Sequence, residues 1–232
     1  AEDILAAIFE GFVRKGRGDV KHEVEAPGFY VVDGRRLVAV KYDASPPPLG
    51  ELREALELLD ELVEVWFKQS KEKFVTVVKW GVIHPFIFAR KQLDRSLAVP
   101  DLTLYGKRNT GKTTMGEIAV AYLWGFDPVH DRRSVSVGEV NTEYKFGRAV
   151  SEATFGMVVN ECNSLFLEPM LVNLAKAKVE SLTVRGRYEA GRYREYFALS
   201  PLVYTLNEQP RVDFQLLELT PKTLYLIELT QS

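Results

Sequence analysis

Lys112 and Thr113 close the run Gly106-Lys107-Arg108-Asn109-Thr110-Gly111-Lys112-Thr113, which carries a recognisable chemistry in its residue types and spacing. Glycines at Gly106 and Gly111 let backbone N–H groups approach phosphate oxygens without a side chain in the way, and a helix N-terminus behind them adds its positive end. Lys112 is then expected to reach the β- and γ-phosphates of a nucleoside triphosphate, and Thr113 to bind its magnesium ion. The expected phosphate-binding set is Gly106, Lys107, Arg108, Asn109, Thr110, Gly111, Lys112, Thr113 and Thr114. With glycine near 7% of average usage, a chain of this length meets the full pattern by accident on the order of once in a hundred times.

The flanking residues supply the elements such a loop needs. Leu102-Thr103-Leu104-Tyr105 reads as a buried strand, and Met115, Ile118, Ala119 and Tyr122 follow at helical spacing. Downstream, Ser134 to Val140 reads as a strand, Glu143 to Ala153 as a helix and Phe155 to Val159 as a second buried strand, which runs straight into Asn160-Glu161. Strand–helix alternation of this kind predicts a parallel sheet covered by helices on both faces, with ligands at the carboxyl ends of the strands. There Glu161 can orient an attacking water, and Asn160 falls where a residue would touch the magnesium shell. Asn160 stands where an aspartate is usual, so its amide contributes no charge. Cys162 reads as a small packed residue, with no histidine near it in sequence. A further apolar run, Ser200 to Leu206, ends at Asn207. If that strand lies beside the loop strand, Asn207 arrives between Lys112 and Glu161 and can sense the γ-phosphate; taken alone, the residue is ordinary turn chemistry.

Composition bounds the surroundings. The 232 residues are 46% hydrophobic with a formal net charge of −2, so a substantial core is available and any nucleic-acid surface must be a local patch. One cysteine excludes an internal disulfide, and His22, His84 and His130 are too scattered in sequence for a histidine metal cluster; each reads as structural. No apolar run reaches membrane-spanning length and the first residues do not read as a signal peptide, so a soluble, cytoplasmic protein with no membrane partner is expected. Ala1 stands first without a methionine, as in a piece of a longer chain.

The character of the chain changes near Leu93 to Pro100. Before it, Phe29 to Tyr42 reads as a hairpin turning at Asp33-Gly34, and Ser45-Pro46-Pro47-Pro48 breaks the chain ahead of a helix. Leu49 to Lys68 repeats leucines at helical spacing between glutamates, giving a solvated acidic face. Phe74 to Arg90, interrupted by Pro85, suits helix or strand. The expected organisation is an accessory domain over 1–95 and a catalytic core over 96–232.

The set "GKRNTGKTT", "GMVVNECNSLF" and "PLVYTLNEQP" resembles the motor core of superfamily III helicases, AAA+ ATPases of viral and plasmid replication proteins, including those fused to primases. The resemblance covers roughly residues 99–229. It implies an α/β P-loop NTPase fold, AAA+-like, with a parallel sheet flanked by helices and a smaller α+β N-terminal domain. It implies ATP and Mg2+ as cofactors, Lys112 and Thr113 on phosphate and magnesium, Asn160 beside the metal, Glu161 activating water and Asn207 as sensor. The chain departs from the pattern at Asn160, in ending at Ser232 with little room for a helical lid, and in offering Lys222 where such proteins often place an arginine.

Ser181 to Leu199 reads as a second hairpin around Glu189-Ala190-Gly191. Period-two geometry puts Arg185 and Arg187 on one face of its first strand and Arg192 and Arg194 on one face of its second, among Tyr188, Tyr193 and Tyr196. Arginine pairs with phosphates and tyrosine stacks on bases, which suits single-stranded nucleic acid. A solvated hairpin paired with Glu189 and Glu195, or arginines reaching a neighbouring subunit's nucleotide, fit the same residues. Superfamily III motors are similar in carrying a hairpin here that grips DNA in the channel of a hexamer. The expected function is an ATPase and ring-forming helicase, a homo-oligomer of hexameric type acting on single-stranded or forked DNA in replication of a viral, plasmid or integrated element. A DNA-packaging or remodelling ATPase, a small-molecule kinase with the same loop, and a non-catalytic nucleotide-binding module are the alternatives.

Overall fold

A computed structural model of the chain describes residues 26–32, 36–94, 100–162, 169–189, 192–208 and 224–229. Strands β1 (Gly28–Val32) and β2 (Arg36–Val40) pair antiparallel, Tyr30 opposite Val38. The expected turn at Asp33-Gly34 lies outside the described residues, as do His22, Ala190-Gly191 and Lys222. All five β1 positions are buried. The Phe29 N–H donates to Thr154 Oγ1 at 2.9 Å, and the Phe29 ring packs edge-on against Phe155 and Trp124. Residues on both sides of position 95 therefore share one aromatic cluster.

Helix α1 (Leu49–Glu61) starts directly after the three prolines, with Pro48 as its N-cap at φ −52°. Its glutamates are solvated, and so are most of its leucines: no residue of α1 is buried, Leu49 is 75% exposed, and only Leu59, half-buried, packs against the core over α4. A π-helical turn over Leu62–Trp66 and a 3-10 turn over Lys68–Ser70 lead into α2 (Lys71–Ile83), followed by a 3-10 turn at His84–Phe86 and α3 (Ile87–Leu93). The segment that suited helix or strand is thus helical. Pro85 falls in the first turn of its 3-10 element, where a missing N–H costs no helical hydrogen bond. His84 is buried and structural: Nδ1 lies 2.6 Å from the Gly81 carbonyl, and the ring stacks on Trp80. Burial pushes its pKa down to about 3.

The remaining elements run β3 (Asp101–Gly106), α4 (Lys112–Val120), β4 (Ser134–Ser136), α5 (Glu143–Val150), β5 (Met157–Asn160), α6 (Pro169–Glu180), β6 (Thr183–Glu189), β7 (Arg192–Phe197), β8 (Leu202–Leu206) and β9 (Leu224–Leu229). Among the described residues five of these strands form one parallel sheet, ordered β4-β5-β8-β3-β9. Alternation divides their side chains between two faces. Leu102, Leu104, Val158, Val203 and Ile227 pack with Met115 and Ile118 of α4 and with Phe74 and Val77 of α2. Met157, Val159, Leu202, Tyr204 and Leu206 pack with Phe146 of α5 and Leu174 of α6. The fold is α/β, a parallel sheet flanked by helices.

Several boundaries differ from the sequence expectation, each for a local reason. The strand expected over Ser134 to Val140 stops at Ser136, because Ser136 and Glu139 form a reciprocal capping box that starts a 3-10 turn. The helix after the loop ends at Val120, and Tyr122 is exposed in a 3-10 turn closed by left-handed Gly125. The second buried strand begins at Met157, since Phe155 belongs to the aromatic cluster around Phe29. Among the described residues no helix is long and apolar enough to cross a membrane.

At the amino end of the sheet a buried ion pair joins Lys178 of α6 to Asp101 of β3, Nζ to Oδ1 at 2.6 Å. Asp101 also accepts from Leu202 N and from the Tyr204 hydroxyl, so one carboxylate ties β3, β8 and α6 together. Lys91 of α3 donates to the carbonyls of Lys178 and Ser181. Burial, then the neighbouring Lys178 ammonium, pushes the Lys91 pKa down to about 7, while Asp101 raises it. Removing one partner of a buried pair strands the other charge. In urea unfolding, Lys178→Ala is expected to lose about 3–5 kcal/mol. The unfolded chain keeps the Lys91 proton up to pH about 10.4 and the folded one releases it near 7, so this lysine makes stability rise with pH between those values. Unfolding at pH 7 and pH 9 should show that rise, and Lys91→Met should flatten it.

Candidate active site

The carboxyl ends of β3, β8 and β5 meet at the opposite edge of the sheet. β3 leaves the sheet at Gly106, φ +141°, where a Cβ would stand 2.0 Å from the Leu229 carbonyl oxygen; no side chain fits beside the end of β9. The loop then uses two left-handed residues, Asn109 at φ +62° and Gly111 at φ +78°, and Gly111 is the N-cap of α4. Its position is set from behind. Gly116 brings α4 so close to the sheet that a Cβ there would meet Val158 and Val203 at 3.0 and 3.2 Å.

Lys112 curls back across the loop. Its ammonium donates to the carbonyls of Gly106 at 2.9 Å and Lys107 at 2.6 Å and approaches Thr110 Oγ1 at 3.4 Å; burial pulls its pKa down. Lys107, Arg108, Asn109 and Thr114 are exposed, and Thr113 is half-buried. The first turn of a helix has N–H groups without intrahelical partners. With the ammonium beside them, these groups form a concavity suited to an anion such as a phosphate.

Asn160 is the hub of the site. Its Oδ1 accepts from the hydroxyls of Thr113 at 2.9 Å and Thr205 at 3.1 Å, and its Nδ2 donates to Ser134 Oγ at 3.0 Å. One side chain thus joins α4 to β4, β5 and β8. Period two explains why Asn160 and not Glu161 meets Thr113: Asn160 shares the face of Val158, against which α4 packs. With its proton directed to Asn160, the Thr113 hydroxyl keeps its lone pairs for a cation. The hydroxyl suits magnesium, a hard cation commonly held by a few protein oxygens together with substrate phosphates, and the amide, its own oxygen engaged by two hydroxyls, orients it.

Glu161 follows in the left-handed region, φ +57°, and is exposed. Thr205 holds it there, the hydroxyl accepting from Glu161 N at 3.2 Å. Thr205 is 3% exposed, and neither it nor Ser134 was expected to belong to the site. A hydroxyl inside the otherwise apolar run of β8, two residues before Asn207, is the signal that could have found Thr205. Cys162 is buried, its thiol donating to the Val159 carbonyl, and burial pushes its pKa up. It is a packed residue. The strand order inserts β8 between β3 and β5, with Leu206 paired to Tyr105, so Asn207 emerges between the loop and Asn160-Glu161.

The second hairpin forms from β6 and β7, with Arg187 opposite Arg194 and Arg185 opposite Tyr196. Residues directly opposite share a face. By register, positions 185, 187 and 189 of β6 and 192, 194 and 196 of β7 share one side of the ribbon, so the four arginine positions lie together there with Glu189 opposite Arg192, while Tyr188 pairs with Tyr193 in the alternate register. Tyr196 fixes the base of the arginine face against α5, its ring 6.2 Å from that of Tyr144 and in contact with Gly147.

A left-handed backbone at a residue with a Cβ costs about 1–2 kcal/mol. Glu161→Gly is therefore expected to be more stable than Glu161→Ala by about 1 kcal/mol in denaturant unfolding, although glycine is the more flexible residue. Equal stabilities would show that position 161 carries no backbone strain. The chain matches no protein-family model and no curated protein sequence.

Proposed function

We propose that the chain is the ATP-hydrolysing core of an AAA+ motor of the superfamily III helicase type, working on single-stranded or forked DNA as a ring-forming homo-oligomer. The observation that carries this reading is the strand order, which wedges β8 between β3 and β5 and so gathers Lys112, Thr113, Asn160, Glu161 and the end of β8 at one edge. Order β4-β5-β8-β3-β9 with every pair parallel is what a P-loop ATPase needs for a sensor residue between its phosphate loop and its water-activating acid.

In this reading the loop N–H groups and the Lys112 ammonium bind the β- and γ-phosphates of ATP, the ammonium exchanging the carbonyls of Gly106 and Lys107 for phosphate oxygens. Thr113 would hold the magnesium, with Asn160 beside it orienting the Thr113 hydroxyl, and the ion would neutralise developing charge on the phosphates. Glu161, carried into the open by its left-handed backbone, orients a water for in-line attack on the γ-phosphorus and takes up its proton. The bond from the γ-phosphorus to the bridging oxygen breaks and ADP leaves with that oxygen. Asn207 contacts the γ-phosphate and reports its loss to the hairpin that precedes β8. The four arginines sharing one face of that hairpin are the proposed contact with DNA phosphates.

Steady-state ATP hydrolysis by the chain and by Lys112→Ala, with and without single-stranded DNA, tests this directly. Turnover is expected to rise with DNA and to fall at least 100-fold in Lys112→Ala, on the order of a lost phosphate-stabilising group. Arg187→Ala with Arg194→Ala is expected to weaken DNA binding and flatten its salt dependence, each lost phosphate contact removing roughly 0.7 from the slope of log affinity against log salt. Tight, Lys112-dependent ATP binding without turnover would instead support a non-catalytic nucleotide-binding module, a reading that the uncharged Asn160 favours.

A further inference from the structure

The elbow between α1 and α2 lies against the phosphate loop, and no residue of the expected site comes from it. A Cβ built on Gly111 would stand 3.0 Å from Phe67 Cε1 and 3.5 Å from Cζ. The Phe67 ring is half-buried and stacks on Phe74, centroids 4.6 Å apart and planes at 11°. Phe74 is wholly buried in the cluster that includes Met115 and Ile118 of α4. Gly81 locks the two helices further, since a Cβ there would meet the Ala119 backbone at 2.9 Å. The elbow is thus packed against the loop through Phe67, and α2 against α4 through Gly81.

The elbow also has an unusual backbone. Phe67 N donates to the Leu62 carbonyl five residues back at 2.8 Å, closing a π-helical turn. Such turns occur mostly as single insertions, frequently at functional sites. This one ends with Trp66 71% and Val65 66% exposed. A phenylalanine packed against the glycine of a phosphate-binding loop, preceded in the chain by an exposed tryptophan, offers aromatic surface where a base can stack.

We infer that Phe67 and Trp66 form the platform for the base of the nucleotide whose phosphates occupy the loop at residues 106–113. The inference deepens the proposed ATP site and rests on it. The occupant is a nucleobase because the residues are aromatic and Phe67 adjoins Gly111 of the loop directly. Stacking of an aromatic residue on a base is typically worth a tenfold change in affinity or more. The elbow is a binding feature, distinct from the groups that touch the reacting phosphate.

Equilibrium binding of magnesium–ATP and of magnesium–tripolyphosphate, which has the phosphates and no base, separates the two claims. Trp66→Ala and Phe67→Leu are expected to weaken ATP binding roughly tenfold and to leave tripolyphosphate binding unchanged, whereas Lys112→Ala weakens both. Trp66→Ala changes an exposed residue and so preserves the fold; in the wild-type chain ATP, but not tripolyphosphate, should quench the Trp66 fluorescence, a change absent in Trp66→Phe. ATP affinity unchanged in Trp66→Ala and Phe67→Leu, while Lys112→Ala loses it, would overturn the elbow and leave the phosphate loop standing. Loss of self-association in Trp66→Ala with ATP affinity intact would overturn it equally, by making Trp66 a contact between copies of the chain. Failure of the wild-type chain to bind either ligand would overturn the loop and the elbow together.

Discussion

The pairing of β8 with β3 on one side and β5 on the other is the constraint on which the carboxyl edge of the sheet depends. Parallel strands start together at one edge and end together at the other, so inserting β8 brings residues some 45 to 100 positions apart in sequence to one line. Asn160 can accept from both Thr113 and Thr205 only because β8 occupies that slot. Were β8 at an edge, Glu161 would lose the hydroxyl that fixes its backbone amide, and Asn160 would lose one of the two hydroxyls that donate to it.

The two ends of the sheet solve opposite problems. At the amino end, Asp101 and Lys178 are almost wholly buried and matched by further bonds, Leu202 N and Tyr204 donating to the carboxylate and the Lys178 ammonium donating to the Ser200 carbonyl, an arrangement that fixes register at the cost of desolvating two charges. At the carboxyl end the polar groups are neutral amides and hydroxyls, joined by bonds of 2.9–3.1 Å and partly open to solvent. Charge there resides in Lys112 and Glu161, on either side of the Thr113–Asn160 link. Such a gap, positive on one flank and negative on the other, is suited to a substrate that brings its own anionic charge and its own counter-ion.

The segment before position 95 takes part in this arrangement through packing. Phe74 and Val77 of α2 complete the core over α4, and Phe29 enters the cluster around Phe155 that precedes β5. Helix α1 contributes no fully buried side chain; Leu49, Leu52, Leu56 and Leu58 are exposed, and Leu59 alone leans on the core over α4. The hairpin of β6 and β7 is similarly peripheral, anchored at its base by Tyr196 against α5 and by Phe197 against Phe88.

Whatever depends on residues a few positions apart was legible in the chain. The glycine loop follows from backbone freedom at Gly106 and Gly111, the first hairpin and the strand–helix alternation from hydrophobic period, and the placing of Pro85 between helical elements from its missing N–H. Exact ends were less so, because competing local bonds such as the Ser136–Glu139 capping box stop a strand that hydrophobicity would continue. The tertiary structure alone decided the order of the strands, the joining of Thr113 to Asn160 across 47 positions, the roles of Thr205 and Ser134, and the approach of Phe67 to Gly111. It also decided that most of the leucines of α1, spaced as for a core, are exposed. The reason is physical: backbone preference and periodicity act over one or two turns of chain, while the partner of an apolar face or a buried hydroxyl depends on which distant elements pack together.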